Sequence, residues 1–422
     1  MTHETQPPAT RPRVKMSQAE LDAVIKRHEM YQAGRLGGQR ALLSYRDLTG
    51  LTLAGKNLSD ADFTASFLTD ANLAGVNLSH AALFGCNLVR ANLRGATLVR
   101  ADLRGASLRG ANLTGANLFD ADLRDGRLAQ KDRKGELYAI PIEIGKSELQ
   151  GATLANANLS KARLSGAFAM HTDFSDAVMR DCKLVRADLR NAKLDGANLE
   201  GADLSGADLR DASMRDTILT GVIMNMTETR GADMDGALTD ARMGKPLEAL
   251  GAPLEELIKS HEAWVSTNGA KGKPLDLSGY DLRTASVLAR SSLTALKASG
   301  AVLFKLNLEG AWLQAAQFDR ADLRSCRLVG ADLRGANLAK ARLNYADMRD
   351  CNLGPLALDE NRSILSRLDE ADFRHVDLRG ADLRRASLKK ADLAAANLTG
   401  ANLSGTDLTD AKTAEAIGIE RR

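Results

Sequence analysis

The chain has 422 residues, of which 44% are hydrophobic and 26% charged, so its composition is that of a globular protein and excludes a disordered one. A formal charge of +3 is nearly balanced for this size and indicates neither nucleic acid, nor an anionic membrane, nor an acidic substrate as the partner. Aromatic residues make up only 4%, so we expect a narrow interior built from Leu and Ala.

The N-terminal stretch MTHETQPPATRPRVKM contains no apolar signal region, and no later run reaches eighteen apolar residues. We therefore expect a disordered N-terminus over residues 1–16, no membrane span and a cytoplasmic location. Export through a system that needs no signal peptide stays open.

Two segments of the chain look like copies of each other, LDAVIKRHEMYQAGRLGG from Leu21 and LEELIKSHEAWVSTNGAKG from Leu254. One helical face would carry Leu21, Val24, Ile25, His28 and Tyr31 in the first segment and Leu254, Leu257, Ile258, His261 and Trp264 in the second. We predict a capping helix and turn over 17–40, and a linker with a second capping helix over 241–275. Each would cover the open end of the array that follows it, and their similarity indicates an internal duplication.

Most of the remaining chain repeats with a period of five, as in ADLRGASLRGANL, with Leu or Phe at every fifth position from Leu48 to Leu128. Two further registers run from Leu149 to Met234, failing at Ala169 and Thr229, and from Leu288 to Leu408, failing at Ala298 and Ser363. Ala usually stands two residues before this position, Asn or Asp one before it, and Gly often two after it. Three arrays follow from the count: 41–128, 149–240 and 276–410, with Leu277 and Leu282 as an offset lead-in to the third.

A period of five fits neither an α-helix nor a continuous strand, because both would turn successive leucines to different sides. It fits a very short strand followed by a corner at the glycine-rich position. The Leu and the small residue two before it would then point inward, and the residues on either side of the Leu would point outward. Four such pentads would close a coil of twenty residues, and stacked coils would pair through backbone hydrogen bonds at a spacing of about 4.8 Å.

Tandem A(D/N)LxG units resemble the pentapeptide-repeat family. The resemblance implies an all-β solenoid, a right-handed quadrilateral parallel β-helix in two or three arrays, to which the short capping helices are added. The family includes gyrase-inhibiting DNA mimics, secreted effectors and many members of no known activity, so the resemblance specifies the fold better than the function.

The period lapses over 129–148, AQKDRKGELYAIPIEIGKSE, which we expect to leave the coil as a hairpin or an extended strand. Its apolar residues include Leu137, Tyr138, Ile140 and Ile142. They either fold back onto the β-helix or bind a protein partner. Residues 411–422 would form a C-terminal tail or a short helix.

An arginine column is predicted on one outer face, because Arg190, Arg210 and Arg230 are spaced by twenty residues. An acidic column of Asp188, Asp208 and Glu228 lies beside it. The column is either a solvated salt-bridge ladder or a recognition face, and the same arrangement at Asp102/Arg104 and Asp122/Arg124 favours the ladder.

None of the catalytic, metal-binding or phosphate-binding motifs that the sequence suggests is complete. His28-Glu29 and His261-Glu262 begin a zinc-hydrolase signature but lack its second histidine, so we expect the histidines to bond a carbonyl at the end of the β-helix. Gly34/Gly37 and Gly269/Gly272 follow helices, which favours chain reversals over phosphate loops. The inward position two residues before the core Leu, which is usually Ala, holds all four cysteines: Cys86, Cys182, Cys326 and Cys351. They are therefore expected to be small buried residues.

We therefore predict no catalytic, cofactor or metal site and a non-enzymatic scaffold that binds protein partners through its outer faces and loops. No direct contact with nucleic acid is expected, and a homodimer through helical or end surfaces stays open. The alternative is a DNA mimic that binds bacterial gyrase or topoisomerase, although Lys and Arg (57) outnumber Asp and Glu (54). A secreted effector is the third hypothesis.

Overall fold

The computed structural model describes residues 14–126, 129–131, 137–139, 147–285 and 288–419. The chain forms two compact units, Met1–Asp240 and Ala241–Arg422. Each unit has its own core, a continuous stack of buried leucine and alanine side chains.

The first unit begins with a short strand and a helix that precede the coils. Strand β1 (Val14–Lys15) pairs in parallel with β2 (Arg46–Asp47) in the first coil. Helix α1 (Gln18–Gln32) starts at Ser17, whose hydroxyl accepts the Glu20 N–H while the Glu20 carboxylate accepts the Ser17 N–H. Its buried face is formed by Leu21, Ile25 and His28.

A tight reversal follows α1. Gly34 and Gly37 have φ values of 63° and 82°, in the left-handed region that favours glycine. The chain then runs back against the helix, since a Cβ on Gly38 would lie 2.3 Å from the backbone nitrogen of Tyr31. The predicted chain reversal is confirmed, but Tyr31 is 47% exposed and lies at the edge of the helix's buried face.

Coils of twenty residues make up the rest of the first unit. Parallel bridges form four columns that start at Leu42, Asp47, Thr52 and Asn57, and each column advances by twenty residues apart from one step at the first interruption. The columns continue as far as Leu238. The fifth-position leucines are buried along most of this stack, so the inward assignment is confirmed.

The backbone hydrogen bonds of one pentad explain its spacing. Leu103 and Gly105 donate N–H groups to the carbonyls of Asp122 and Arg124 in the next coil, at 2.8 and 3.0 Å. Ala106 donates to the Leu103 carbonyl at 3.0 Å, which closes a turn. Gly105 lies inside this turn with φ 64°, so a corner follows each core leucine.

The preference for Asp or Asn before the leucine follows from the same pattern. The backbone N–H of the second residue after the Asp or Asn makes no bond to a neighbouring coil. The side chain of the Asp or Asn accepts this N–H instead. Asp102 accepts the Arg104 N–H at 3.2 Å, and Asn112 accepts the Thr114 N–H at 3.0 Å. This bond satisfies, within the pentad, a backbone N–H that would otherwise need water as its partner.

The first interruption lies between Gly126 and Ser147 and contains strands β3 (Ala129–Lys131) and β4 (Leu137–Ala139). Ser107 pairs with Glu148, a separation of 41 residues, so Leu149 takes the place that counting by fives gives to Leu128. Leu128, which ends the first predicted array, falls outside the described residues.

The second unit repeats the arrangement of the first. Lys245 pairs in parallel with Tyr280, as β1 pairs with β2, and a 3-10 helix (Leu247–Leu250) and helix α2 (Leu254–Ser266) follow Lys245. The buried face of α2 carries Leu254, Ile258 and His261. Gly272 completes the predicted reversal, because a Cβ there would lie 1.9 Å from the Ser260 carbonyl oxygen.

The coils of the second unit contain an insertion that the sequence did not reveal. Asn337 pairs with Arg367, thirty residues on, whereas Trp312 pairs with Asp332 at the usual twenty. Strands β5 (Leu356–Ala357) and β6 (Ser363–Ile364) form an antiparallel hairpin outside the coil. The predicted third array, 276–410, is therefore interrupted. The insertion adds ten residues, which equals two pentads, so counting by fives stays in register across it.

The C-terminal prediction is also wrong in the described part. Lys412 pairs with Asp392 and Ile417 with Asn397, so the coil continues through residues predicted as a tail or short helix. Ala411 and Ala416 explain this, since they keep the small inward residues of the repeat and pack against the core.

Candidate interaction surfaces

The first hairpin contains part of the predicted partner-binding stretch. Strands β3 (Ala129–Lys131) and β4 (Leu137–Ala139) pair antiparallel, with Gln130 opposite Tyr138 and Lys131 opposite Leu137. Of the predicted binding residues, Leu137 and Tyr138 thus lie on a hairpin strand. Ile140 and Ile142 fall outside the described residues.

The second hairpin has an ordered tip that sequence reasoning missed. The Asp359 carboxylate accepts the backbone N–H groups of Asn361 and Arg362 at 3.0 and 2.8 Å and also binds the Arg362 guanidinium. Leu358, at the start of the tip, is 57% exposed. The composition DENR is a signal for such a turn, but it was missed because Leu358 and Leu368 keep the count of five and only Ser363 breaks it.

This hairpin is held against the coil by close contact. A Cβ on Gly335 would lie 3.0 Å from the Leu356 Cβ and 3.1 Å from the Ile364 Cγ2. Only a residue without a side chain lets the hairpin approach this closely. Ile364 also lines an open groove of about 640 Å³, together with Arg367 and Lys389.

A buried serine marks the return to the coil after each interruption. The Ser147 hydroxyl donates to the Arg124 carbonyl and accepts the Gly105 N–H at 3.1 Å. The Ser366 hydroxyl accepts the Gly335 N–H at 2.9 Å in the same way. Both serines occupy the inward slot usually filled by alanine, and they satisfy backbone groups where the chain leaves and re-enters the coil.

The arginine column is built from pairs inside each pentad. Arg190 binds both carboxylate oxygens of Asp188 at 2.8 and 2.7 Å, and Arg210 binds Asp208 in the same manner. Arg190 also lies 3.7 Å from Asp208 in the next coil. Arg230 is exposed on the last coil of the unit. The structure thus brings the column onto one face, with each pair formed across a core leucine.

The same pair recurs on the outer faces of both units, because the residues on either side of a core residue both point outward. In the described part of the chain it forms at Asp102/Arg104, Asp122/Arg124, Asp281/Arg283, Asp332/Arg334, Asp347/Arg349, Asp372/Arg374, Asp377/Arg379 and Asp382/Arg384. It also forms at Asp322/Arg324, where both side chains are buried. The bound guanidinium lowers the pKa of carboxyls such as Asp208 and Asp377 below their usual range. These aspartates are therefore neutralised by their own repeat.

The helix of the first unit covers the edge of the first coil by hydrogen bonds. The Gln18 side-chain amide pairs with both the N–H and the carbonyl of Thr52, each at 3.0 Å, as a strand would. His28 Nε2 and the Gln32 amide lie 2.9 and 2.8 Å from the Ser59 carbonyl oxygen. The predicted contact between a cap histidine and a carbonyl is confirmed for His28.

The second unit has corresponding edge contacts. The Glu262 carboxylate accepts the Ser292 N–H at 3.2 Å, and His261 Nδ1 accepts the Leu275 N–H at 2.9 Å. The ring of His261 stacks on Trp264, as that of His28 stacks on Tyr31. A histidine that accepts a backbone N–H is engaged in the cap, which supports its interpretation as structural.

The four cysteines are fully buried, as predicted. Burial raises the pKa of Cys86 to about 12 and raises those of Cys182, Cys326 and Cys351 as well. Among the described residues no three His, Cys, Asp or Glu side chains come together as a metal site would require. None of the described helices has the length and apolar character needed to cross a membrane.

Comparison with known proteins gives one matching family. The model of pentapeptide repeats matches residues 47–85, 86–125, 147–184, 182–221, 316–354, 366–405 and 386–412. No curated protein gives a significant match.

Several solved structures are similar to parts of the chain. HetL, a pentapeptide repeat protein involved in heterocyst differentiation regulation from the cyanobacterium Nostoc sp. strain PCC 7120, is 30% identical; the match covers 50% of this chain and 95% of HetL, with a TM-score of 0.26. Rfr23 from the cyanobacterium Cyanothece 51142 is 30% identical over 33% of this chain and 91% of its own, with a TM-score of 0.18. QnrB1, a plasmid-mediated fluoroquinolone resistance protein, is 23% identical over 48% of this chain and 92% of its own, with a TM-score of 0.21.

Proposed function

The chain belongs to the pentapeptide-repeat family, and on that premise we propose that it is a non-enzymatic scaffold that binds a protein partner through the loops that interrupt its coils. The right-handed winding of the coils and a cytoplasmic location are parts of the same proposal. Repeat proteins of this kind present extended outer surfaces and bury a core filled by side chains.

The observation that supports the loops is that both hairpins leave the stack without disturbing it. Coil pairing resumes at Glu148 after the first hairpin and at Arg367 after the second. Regular coils repeat the same side chains, whereas Leu358 at the second hairpin tip is exposed and framed by the Asp359 turn. Such a preorganised loop binds with little loss of conformational freedom.

The outer faces fit DNA mimicry less well than loop binding. A mimic needs uncompensated acidic columns, but the aspartates of the repeat are bound by arginines of the same pentad, as in Asp188/Arg190 and Asp208/Arg210. The arginine column of Arg190, Arg210 and Arg230 remains the second candidate contact.

Two deletions test the loops while keeping every coil at twenty residues. Joining Asp125 directly to Ser147 removes the first hairpin, and replacing residues 355–365 by one glycine removes the second. The pairing of Ser107 with Glu148 and of Asn337 with Arg367 sets these limits. Both variants should keep the thermal transition within a few degrees, because shortening a loop whose ends are close costs little.

Affinity capture from the source cells, followed by mass spectrometry, should then recover a protein with the full chain and lose it with one hairpin deletion. A triple Arg190→Gln, Arg210→Gln and Arg230→Gln variant is the matched control for the outer face. Partner recovery that survives both deletions and is lost with the triple variant would transfer the site to the arginine column. Inhibition of gyrase supercoiling by the purified protein would instead support the alternative function.

A further inference from the structure

Both caps are built around one buried histidine in the same position. His28 and His261 are each 0% exposed and lie three residues after Ile25 and Ile258 on the buried face of their helices. His28 Nδ1 accepts the Ala41 N–H at 3.0 Å, and His261 Nδ1 accepts the Leu275 N–H at 2.9 Å. In both units, the histidine thus ties the helix to the segment that enters the first coil.

These contacts define the protonation state of the two rings. A backbone N–H can only donate, so each Nδ1 must keep its lone pair. In the first cap Nε2 lies 2.9 Å from the Ser59 carbonyl oxygen, which can only accept, so Nε2 carries the proton. The closed cap therefore requires a neutral imidazole, because protonation would place two N–H donors against each other.

We propose that the two caps are acid-released: protonation of His28 and His261 breaks the Nδ1 hydrogen bonds, and α1 and α2 then open from the first coils of their units. Opening would uncover an edge whose backbone groups are now bound by the cap, including the Thr52 N–H and carbonyl held by Gln18. An uncovered edge can pair with other strands.

The charged groups around each ring are few. Burial has the largest effect on His28 and lowers its pKa; the Ser59 carbonyl, Asp60 and Glu29 act in the opposite direction, and Arg40 adds to the lowering. Burial likewise lowers the pKa of His261, opposed by the Thr294 backbone and by Glu262. The carboxylates near each ring therefore raise the pKa of the histidine by less than burial lowers it.

The direction of the pH effect follows from these shifts. A histidine in an open cap has its usual pKa of about 6.5, and in the closed cap the pKa is lower. The equilibrium constant for cap closure is therefore largest above about pH 6.5. Below that pH it falls by up to about tenfold per pH unit, until the pH reaches the pKa of the histidine in the closed cap.

The full chain offers a local reporter for one cap, since Trp264 stacks on His261 with ring centroids 5.5 Å apart. The second tryptophan, Trp312, lies on a coil and is 59% exposed, so Trp312→Phe leaves Trp264 as the sole emitter. Trp264 emission and backbone hydrogen exchange, corrected for the intrinsic pH dependence, are measured between pH 7.5 and 5.0. Exchange in α1 and α2 should rise by up to about tenfold per pH unit below pH 6.5, while coils near Leu103 stay protected.

Matched variants separate the two caps within one molecule. His261→Gln should abolish the pH dependence of α2 exchange and Trp264 emission but preserve that of α1, and His28→Gln should do the reverse. This pattern holds whether the glutamine closes the cap or leaves it open at every pH.

Imidazole nitrogen shifts at pH 7.5 supply the second measurement, and they should show the neutral Nε2–H form for His28. Equal cap protection at pH 5.0 and 7.5, retained pH dependence in both variants, or a protonated Nδ1 at pH 7.5 would overturn the proposal.

Discussion

The close contact between the second hairpin and the coil can be tested by adding a single carbon atom at Gly335. Gly335→Ala adds a Cβ 3.0 to 3.2 Å from Leu356 and Ile364, closer than the 3.5–4.0 Å at which carbon atoms pack best. The φ of 69° adds a strain of about 1–2 kcal/mol for any residue with a side chain. Gly330→Ala is the matched control, since its φ is 64° and nothing lies within 4 Å of the added atom.

Both variants should lose similar global stability, by about 1–2 kcal/mol, because the backbone strain is shared. Only Gly335→Ala should loosen the hairpin, because two short strands can move more readily than the coil. Tryptic cleavage after Arg362, whose side chain is 76% exposed, measures this opening. A local loss of about 1 kcal/mol corresponds to roughly fivefold faster cleavage. Equal cleavage rates in the two alanine variants would refute the contact between hairpin and coil.

Three further outcomes follow from the core, the caps and the cysteines. Leu103→Ala should lower the free energy of unfolding by about 2–5 kcal/mol in thermal or denaturant melts, whereas Leu36→Ala, at a 98% exposed position, should change it little; equal effects would contradict the inward assignment. Removing residues 1–40 should uncover the first-coil edge and cause association in light scattering, and a monodisperse fragment would mean that α1 is not a cap. A thiol reagent should leave all cysteines unmodified in the native protein and react with all four after unfolding; rapid native reaction would show that the inward slots open.

Much of the fold was accessible from the sequence because one short pattern determines it. The turn that places Gly105 at positive φ, the buried Leu103 and the Asp102 bond to the Arg104 N–H are all local to five residues. A repeat of such units can be extrapolated along the chain. The helices were accessible for the same reason, since Leu21, Ile25 and His28 recur at helical spacing.

The positions where the chain leaves the coil were harder to predict. The hairpin at 356–364 occupies two pentads, so Leu358 satisfies the count although it is outside the coil. The signal lies in Pro355 and the DENR tip, which are turn residues and not repeat residues. The Asp188/Arg190 pairing was accessible, because a salt-bridge ladder was one of the two interpretations of the arginine column and the pair forms within one pentad.

The hydrogen bonds at the start of each unit give the stack of coils a direction of assembly. The first coil presents to the cap the carbonyls of Asp47, Thr52 and Ser59, together with the Thr52 N–H, and Met16, Gln18 and His28 bind these groups. A segment with this pattern of donors fits the leading edge, where each pentad presents two carbonyls and one N–H. The trailing edge presents the opposite pattern, two N–H groups and one carbonyl, as at Leu103, Gly105 and Ala101. The helix with its preceding strand thus serves as an initiation module that must stand before the repeats in the chain. Fusing residues 14–40 ahead of a different set of pentads should therefore start a new stack, whereas the same module placed behind them should not end one.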